Sequence, residues 1–387
     1  MRHSLTCLFA LAAALPLSAQ QRPAPVYYRM KQAVIVDEHG FERPMRALSV
    51  LVPTSWQFQG GVTFIPNSGC HADQVQIAFR SASPDNRYAV ELFPGVHWTW
   101  SDDPSSVRML QMAAQQSLRF GRRECDVQPP MAPGDYLRHI AIPKSRPNAR
   151  VAEVEPMPEV SAKLRQKAQA EVSAAAQMGM HIRVGAEAAR ARIEYDVNGQ
   201  PMEEWITAVT FASTTPGPSF NMATGQLGQT AYYNCGAYLV FGLRAPKGQL
   251  QKHESFFDLV LSTVHLDPGW EARVTQVILS MQASDSKGAM DRSAIITKSG
   301  HDISNMIREV HENHERALDR ITVEFSQYLR GVETYRNPQT GEEVELSNMY
   351  GHAWSNALHE YVLSDSEFFN PNIALKGDWT QLVRAQR

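Results

Sequence analysis

Beyond its N-terminus the sequence lacks any apolar run approaching the roughly 18 residues that a membrane-spanning helix needs. Its net charge is also small, formally -3 over 387 residues, which gives no general reason to expect binding to nucleic acid or to an anionic membrane. No catalytic or metal motif of high specificity occurs: His311 and His314 are three residues apart, whereas zinc proteases place their helical histidines about four apart. The sequence therefore predicts no nucleic-acid partner, no cofactor, no metal and no integral membrane segment after the N-terminus.

The first 19 residues hold the one apolar segment that needs a separate explanation. A short basic start at Arg2 and His3 precedes the apolar stretch from Leu8 to Leu15, which is too short to span a bilayer. Small residues follow and end at Ala19, in the pattern of a cleavage site. This pattern predicts a signal peptide over residues 1–19 and an exported protein, either periplasmic or secreted.

Cysteine is scarce, with four residues in the chain, and Cys7 would leave with the signal peptide. The remaining Cys70, Cys125 and Cys235 allow one disulfide plus a free thiol, an intermolecular bridge, or three buried thiols. Export implies an oxidising environment, which favours one disulfide over none. We favour Cys70 with Cys125, because both lie in polar, glycine-containing segments while Cys235 borders an apolar strand.

Alternating apolar and polar residues, the pattern of half-buried strands, recur through the first two thirds of the chain. Short alternating segments crowd residues 47–92, and Asn198-Gly199 supplies the turn of a hairpin. Threonine, proline, glycine and serine crowd residues 213–229, which predicts a long exposed loop. Together these segments predict an antiparallel sheet.

Residues 238–264 read as a buried strand followed by a helix. Phe256, Phe257 and Val260 recur at helical spacing and give this helix one apolar face, which must be buried against a sheet. Pro268-Gly269 ends the helical pattern.

The predicted organisation is an α+β sandwich domain over residues 26–280, followed by smaller parts. Its insertion, residues 105–180, is predicted to be mostly helical. A helical segment follows over 281–331, and within it residues 302–330 carry the pattern of a long amphipathic helix that packs on the sandwich or pairs with a second copy. A small β-meander is predicted over 332–387. It is too short to form a stable hydrophobic core by itself, so we expect it to pack against the sandwich domain.

Three segments carry a resemblance to a known family: SVLVPTSWQFQGG at 49–61, SASPDNRYAVELFP at 81–94 and LRAPKGQL at 243–250 with its trailing helix. Their order resembles the PsbP-like α+β sandwich, in which a strand with the pattern P-x-x-W opens the sheet and a helix packs against it. It is also similar to a group of exported bacterial proteins of unknown function. The resemblance covers about residues 45–275 and implies a fold, whereas function does not follow from it.

Two polar groups have simple structural interpretations. Asp103 precedes Pro104, an arrangement typical of a helix cap, although paired carboxylates near tryptophans also occur in glycosidases. Cys70-His71 places a thiol beside an imidazole, but sequence neighbours in a strand or loop usually point apart, so a disulfide cysteine is the favoured interpretation.

Aromatic residues give the candidate ligand site. Trp98 and Trp100 are two apart on a predicted strand and so share a face, with Trp56 as a further member. A second group lies close together in the C-terminal segment and consists of Tyr335, Tyr350, His352, Trp354, Asn356 and Tyr361, of which Tyr350, His352, Trp354 and Asn356 are the candidate ligand-binding residues. Two interpretations stay open: these rings fill a core, or they form a platform for a glycan or a peptide.

The function predicted from these features is that of an exported, soluble, non-enzymatic binding or interaction protein of the bacterial cell envelope. One alternative is an extracytoplasmic hydrolase whose site is assembled from distant residues. The other is a structural or assembly factor that forms a homo-oligomer through residues 302–330.

Overall fold

The computed structural model describes residues 27–65, 68–177, 182–221, 226–292 and 331–385. Strands hold 47% of the structure and helices 26%, and the sheets are mostly antiparallel, so the protein has an α+β fold, as predicted. The predicted signal peptide and the predicted amphipathic helix over 302–330 lie outside the described residues.

The strands differ in length, from two residues to 22 residues. In chain order, β1 to β18 are Tyr27–Asp37, Met45–Pro53, Gln57–Phe64, Val75–Ala82, Ala89–Phe93, Val96–Ser101, Asp126–Val127, Arg150–Pro156, Arg183–Val197, Gln200–Asn221, Gln226–Pro246, His265–Leu266, Val332–Arg336, Glu343–Ser347, His352–Ser355, Glu360–Ser364, Thr380–Gln381 and Val383–Arg384.

The helices are fewer and most are short. In chain order, α1 to α7 are Pro104–Arg119, Pro133–Tyr136, Ile142–Ser145, Pro158–Gln177, Glu254–Ser262, Pro268–Arg292 and Pro371–Ala374. A π-helical turn, Leu137–Ala141, joins α2 to α3, and these three pieces are called the 133–145 helical segment below.

Three sheets are described. The nine-stranded sheet has the order β3-β4-β5-β11-β10-β9-β8, with β6 paired to β11 and β7 paired to β6. The six-stranded sheet has the order β12-β2-β1-β16-β15-β17, and the three-stranded sheet has the order β14-β13-β18. All pairings between these strands are antiparallel except that of β6 with β7.

The nine-stranded sheet is buried on both faces at β10 and β11. Successive side chains of a strand point to opposite faces, so neighbours on one strand enter different cores. Trp205 and Phe241 lie in a large core that also receives side chains from the other two sheets and α5. Ile206 and Val240 lie in a second core, which the 133–145 helical segment covers. The arrangement explains why these strands are apolar at successive positions.

The strand-then-helix prediction for residues 238–264 is confirmed, because β11 leads into α5 and the apolar residues of α5 are buried. The helix ends earlier than predicted, at Ser262. There Thr263 donates its hydroxyl to the Val260 carbonyl at 2.8 Å and accepts from the Leu51 amide of β2 at 3.0 Å. The end of α5 is therefore held on the six-stranded sheet.

Pro268-Gly269 begins a helix and does not end one, which corrects the prediction. The Asp267 carboxylate accepts hydrogen bonds from the amides of Gly269 at 3.0 Å and Trp270 at 3.2 Å. Proline at the first helical position costs the helix no hydrogen bond, because an N–H at this position would have no partner inside the helix.

A β-bulge lets β11 change partners. Residues Tyr232–Ala237 pair with β6 and residues Val240–Arg244 pair with β5, while the register with β10 shifts between Thr207 and Val209. Leu239, between the two paired segments, has φ of 50°, a left-handed conformation that is unfavourable for leucine. The bulge is therefore a strained joint that the pairing on either side holds in place.

The predicted exposed loop over 213–229 is wrong, because β10 and β11 continue through it as a hairpin, pairing from Thr214 with Tyr233 to Asn221 with Gln226. Beyond Thr214 the outer side of β10 has no pairing with β9, whose register ends there. An edge of this kind tolerates proline, which is why a proline-containing sequence forms a strand here.

The predicted helical insertion over 105–180 holds α1 to α4 but also two strands, β7 and β8. β8 pairs with β9 from Arg150–Glu194 to Pro156–Ala189 and forms one edge of the nine-stranded sheet. The insertion is therefore part of the sheet rather than an appendage to it.

The predicted β-meander over 332–387 is divided between two sheets. β13, β14 and β18 form the three-stranded sheet, whereas β15 and β16 join the six-stranded sheet, where β16 pairs with β1. Tyr361 and Leu363 of β16 enter the large core shared with β1 and β2, whereas Trp354, Val362, Phe369 and Trp379 are buried in a small core within this segment.

A disulfide joins Cys70 to Cys125, which are 55 residues apart, and Cys235 is a buried free thiol. The cross-link ties the segment before β4 to the segment after α1. Both segments lie outside the main strands, and the disulfide reinforces a single β-bridge between Ser68 and Arg123, where the Gly69 amide donates to the Arg123 carbonyl at 2.8 Å.

A buried ion network holds the 133–145 helical segment on the sheet. Glu204 of β10 is 1% exposed and accepts two hydrogen bonds from Arg146, at 2.9 and 3.0 Å, and another from the Tyr195 hydroxyl. Arg146 also donates to Glu91 of β5 at 2.8 Å. Burial opposes the charged guanidinium, but Glu204 and Glu91 outweigh it and raise the pKa of Arg146. Gly242 leaves room for this carboxylate, since a Cβ there would lie 2.2 Å from Glu204 Oε1.

We expect the variant Cys70→Ser/Cys125→Ser to lose about 4 kcal/mol of unfolding free energy, because the native cross-link restricts the unfolded chain. Urea denaturation with and without dithiothreitol measures the loss. Reductant should destabilise the wild type and the control Cys235→Ala, and should leave the double variant unchanged. A wild type whose stability is indifferent to reductant would contradict this prediction.

We expect Arg146→Met to cost about 3–5 kcal/mol, because it leaves Glu204 charged and buried without its partner. The double variant Arg146→Met/Glu204→Leu should recover part of the loss, since it also removes the carboxylate that Arg146 pairs with, while the neighbouring buried Glu203 keeps its hydrogen bond from the Leu250 amide at 2.7 Å. Denaturant unfolding of both variants provides the measurement. Equal losses in the single and double variants would show that lost packing, and not the charge, is the cause.

Candidate functional site

The three tryptophans of the first predicted platform do not come together. Trp98 is 1% exposed, stacks on Tyr136 with ring centroids 6.1 Å apart and donates its indole N–H to the Pro129 carbonyl at 3.2 Å. Trp56 lies in the other core, with its ring 5.4 Å from that of Phe256. Trp100 is half-buried on β6. Trp98 and Trp56 are therefore core residues, and neither can face a ligand in this structure.

Two residues of the C-terminal group have structural roles. Tyr350 is buried, packs edge-on against Tyr28 with centroids 5.8 Å apart and accepts a hydrogen bond from the Tyr335 hydroxyl at its carbonyl. Asn356 closes the turn between β15 and β16, where its side chain accepts from the Glu360 amide and donates to the Glu360 carboxylate at 2.8 Å. Neither Tyr350 nor Asn356 lines any of the four main pockets, so neither belongs to the candidate site.

The other two, His352 and Trp354, line a pocket of about 470 Å³ at the edge of the six-stranded sheet, called the C-terminal pocket below. Its remaining wall comes from the chain between β16 and the end of β17. The lining residues are His352, Trp354, Glu367, Phe368, Phe369, Asn370, Asn372, Trp379 and Gln381.

Aromatic packing builds the floor of the C-terminal pocket. His352 and Trp354 are two apart on β15, so both project from one face, with ring centroids 5.9 Å apart. Phe369 meets Trp354 edge-on at 5.7 Å and stacks on Tyr27 of β1 at 4.8 Å. The floor is therefore anchored to two strands of the sheet.

Hydrogen bonds from one asparagine hold the far wall. Asn372 of α7 donates to the Trp379 carbonyl at 3.0 Å and accepts from the Trp379 amide at 2.6 Å. The Arg29 guanidinium lies 5.8 Å from the centre of the Trp379 ring and pairs with Glu360 at 2.7 Å. The hydrogen bonds with Asn372 thus hold the Trp379 backbone, and the contact with Arg29 holds its ring.

The rim of the pocket combines one exposed ring with exposed polar groups. Phe368 is 82% exposed, and Glu367, Asn370 and Gln381 are exposed beside it. The Asn370 side-chain oxygen already accepts from the Asn372 amide at 3.0 Å as the cap of α7, so Asn370 offers chiefly its N–H groups, whereas the Gln381 amide both donates and accepts and the Glu367 carboxylate accepts. Such a rim suits a ligand that offers carbon-bound hydrogens to a ring and hydroxyl or amide groups around it.

A larger cavity of about 680 Å³ lies between the end of α4 and the β10–β11 hairpin. Its described wall carries small aliphatic and polar side chains together with Arg183, and no aromatic ring. Its carboxylate, Asp102, accepts a hydrogen bond from the Tyr233 hydroxyl at 2.9 Å. The C-terminal pocket is therefore the better candidate for a ligand site.

The predicted helix cap at Asp103 is present. Its carboxylate accepts from the amide and hydroxyl of Ser106, both at 2.8 Å, and these bonds lower the pKa of Asp103. The residue therefore fixes the start of α1 and needs no catalytic role.

Groups with catalytic potential are few in the described part of the chain. Asp73 pairs with the His97 ring at 2.7 Å, a contact that sequence spacing does not reveal. Cys70 is in a disulfide, and burial raises the pKa of Cys235 to about 11, so neither offers a thiolate at neutral pH. Among the described residues no group of three or more His, Cys, Asp or Glu side chains could hold a metal ion.

Sequence reasoning missed most of the pocket's wall. Phe368, Phe369, Asn370, Trp379 and Gln381 lie in the last 20 residues, which carry few strand signals. Two signals were available: adjacent aromatic residues, and Asn370-Pro371, the cap and first residue of a short helix.

In comparison with known proteins, no family model, curated protein or solved structure matches the chain. The resemblance to PsbP-like domains therefore stays a prediction. Among the described residues, no helix is both long and apolar enough to cross a membrane.

We expect Asn372→Ala to lower the free energy of unfolding by about 2 kcal/mol, because two hydrogen bonds to the Trp379 backbone are lost. The pocket wall should also loosen, which acrylamide quenching of tryptophan fluorescence would detect as increased access. Asn148→Ala, at an exposed turn, serves as the control and should change neither quantity. Unchanged stability and quenching in Asn372→Ala would show that the wall does not depend on this side chain.

Proposed function

We propose that the protein is an exported, non-enzymatic binding protein of the bacterial cell envelope and that its C-terminal pocket binds a glycan. The observation that carries the proposal is the exposed ring of Phe368 beside the exposed amides of Asn370 and Gln381. A sugar ring presents an apolar C–H face for stacking and hydroxyls that both donate and accept, which is the chemistry this rim complements.

A glycan suits the site better than a peptide for a geometric reason. Peptides often bind by adding a strand to an open sheet edge, where main-chain hydrogen bonds supply the affinity. The edge strand at the pocket is β17, which has two residues. So short an edge offers few main-chain bonds, whereas side-chain recognition of a glycan does not need one.

The location is supported by the sequence pattern of residues 1–19 and by the disulfide between Cys70 and Cys125, which suits an oxidising compartment. The proposal also retains the PsbP-like assignment for the sandwich, on the three segments that carry the resemblance. A non-enzymatic role agrees with the shortage of convergent titratable groups around the pocket, where His352 and Glu367 are the titratable side chains.

We expect one or more of the cello-, malto- and chito-oligosaccharides to raise the melting temperature, since a ligand at about 100 times its Kd adds about 2.7 kcal/mol of stability. Phe368→Ala should weaken this binding about tenfold, because the stacking contact is lost. Gln381→Ala should weaken it as well. Calorimetric titration measures both, and chromatography of the recovered sugar should show it unchanged.

Phe120→Ala is a matched control, since Phe120 is also 82% exposed but lies at the end of α1, and it should bind as the wild type does. Stabilisation by tetrapeptides alone, weakened by Phe368→Ala, would replace the glycan with a peptide. Cleaved sugar would favour a hydrolase, and binding untouched by Phe368→Ala and Gln381→Ala would remove the pocket from the proposal.

A further inference from the structure

Helix α1 is attached to the fold by one face and one end. Of its 16 residues only Ser106 and Val107 are buried, and both lie in the first turn beside the Asp103 cap. The remaining turns stand on β6 and β7 with their outer side exposed. An amphipathic helix whose outer face is not packed against the rest of the protein presents that face to a binding partner or to a membrane.

Helix α1 itself carries charge of one sign, and acidic residues flank it: Asp102 and Asp103 precede it, and Glu124 and Asp126 follow it. Residues 104–123 contain four arginines and no acidic residue, in a chain whose formal net charge is -3. Arg122 and Arg123 pair with Glu124 and Asp126, at 3.2 and 3.5 Å.

Arg108 and Arg119 are exposed, and no salt bridge to either is found in the part of the chain that the structure describes. They are eleven residues apart, about three helical turns, and so lie on the same side of α1.

Large apolar side chains form a second row beside these arginines. Met109 is 51% exposed, Met112 60% and Phe120 82%. Met109 and the C-cap residue Phe120 are also eleven residues apart and lie on one side of the helix, while Met112 lies between them and the arginines, about 60° around the helix from Met109. Exposed apolar residues flanked by arginine are the pattern of a helix that lies in a membrane interface.

We propose that the outer face of α1 docks on a membrane surface that carries anionic lipid. The arginines would contact lipid headgroups, while Met109, Met112 and Phe120 would enter the boundary of the acyl chains. On its inner side α1 contacts β6 and β7, and a pocket of about 440 Å³ lies between β7 and the helix residues Gln111, Ala114, Gln115 and Leu118. A flat surface needs only the outer face. The site is separate from the C-terminal pocket and does not depend on what that pocket binds.

Sedimentation of the full chain with vesicles tests the proposal. Binding should be stronger to vesicles of phosphatidylcholine with phosphatidylglycerol than to phosphatidylcholine alone, and added salt should weaken it. Arg108→Gln/Arg119→Gln should reduce the partition coefficient about 25-fold, at about fivefold for each arginine. Met109→Gln/Met112→Gln should reduce it about tenfold. Glutamine keeps helix propensity, and unchanged thermal unfolding will verify folding.

Matched controls are Arg43→Gln/Arg87→Gln, which removes two exposed arginines elsewhere, and Phe368→Ala, which removes an equally exposed ring from the other site. Both should bind vesicles as the wild type does, and the apolar N-terminus is common to all variants. Equal binding to both vesicle types, no binding, or full binding by Arg108→Gln/Arg119→Gln would each overturn the proposal. Binding to polyglutamate without binding to vesicles would also overturn it, in favour of an acidic polypeptide partner.

Discussion

The antiparallel pairing of β10 with β11 is the interaction on which the rest of the structure depends. The two strands, of 22 and 21 residues, lie at the centre of the nine-stranded sheet, and around Trp205, Ile206, Val240 and Phe241 they are buried on both faces. Because side chains alternate between faces, a slip of one residue would exchange Trp205 with Ile206 between the two cores. An indole would then stand where the 133–145 helical segment has room for an aliphatic side chain. The register is therefore specified by two cores at once, more strongly than one buried face could specify it.

The same register places Glu204, which makes the ion network possible. A carboxylate at 1% exposure is tolerable only with compensating partners, and Arg146, Tyr195 and the space above Gly242 supply them. Arg146 comes from the end of α3, so the network also decides where the helical segment lies. Packing and charge thus fix one arrangement together: the apolar face of the segment covers the second core, and Arg146, the residue that follows it, anchors it to two strands.

The surfaces proposed for function lie away from this centre. The C-terminal pocket sits at the outer edge of the six-stranded sheet, and α1 stands on the short strands β6 and β7. Positions at the centre are constrained by two cores and by strand pairing, whereas loops and edges are free to expose rings and polar groups. Both surfaces are nevertheless held rigidly: Phe369 and Trp379 fix the pocket to β1, and the Asp103 cap fixes the start of α1. An exposed group on a fixed support binds with less loss of conformational entropy.

Local patterns in the sequence determined the class of the fold and several of its elements. Alternation predicted the strands between residues 47 and 92, helical spacing predicted α5, and Asp103-Pro104 predicted the start of α1, because each depends on interactions a few residues apart. The signal peptide rests on a local pattern as well, and it stays a prediction. Only the tertiary structure decided which side chains come together across the chain. It put Trp98 and Trp56 into different cores, paired β16 with β1 and joined His352 and Trp354 to Phe368 and Gln381. It also turned residues 213–229, a loop by composition, into strands, since pairing partners at a sheet edge outweigh local preference.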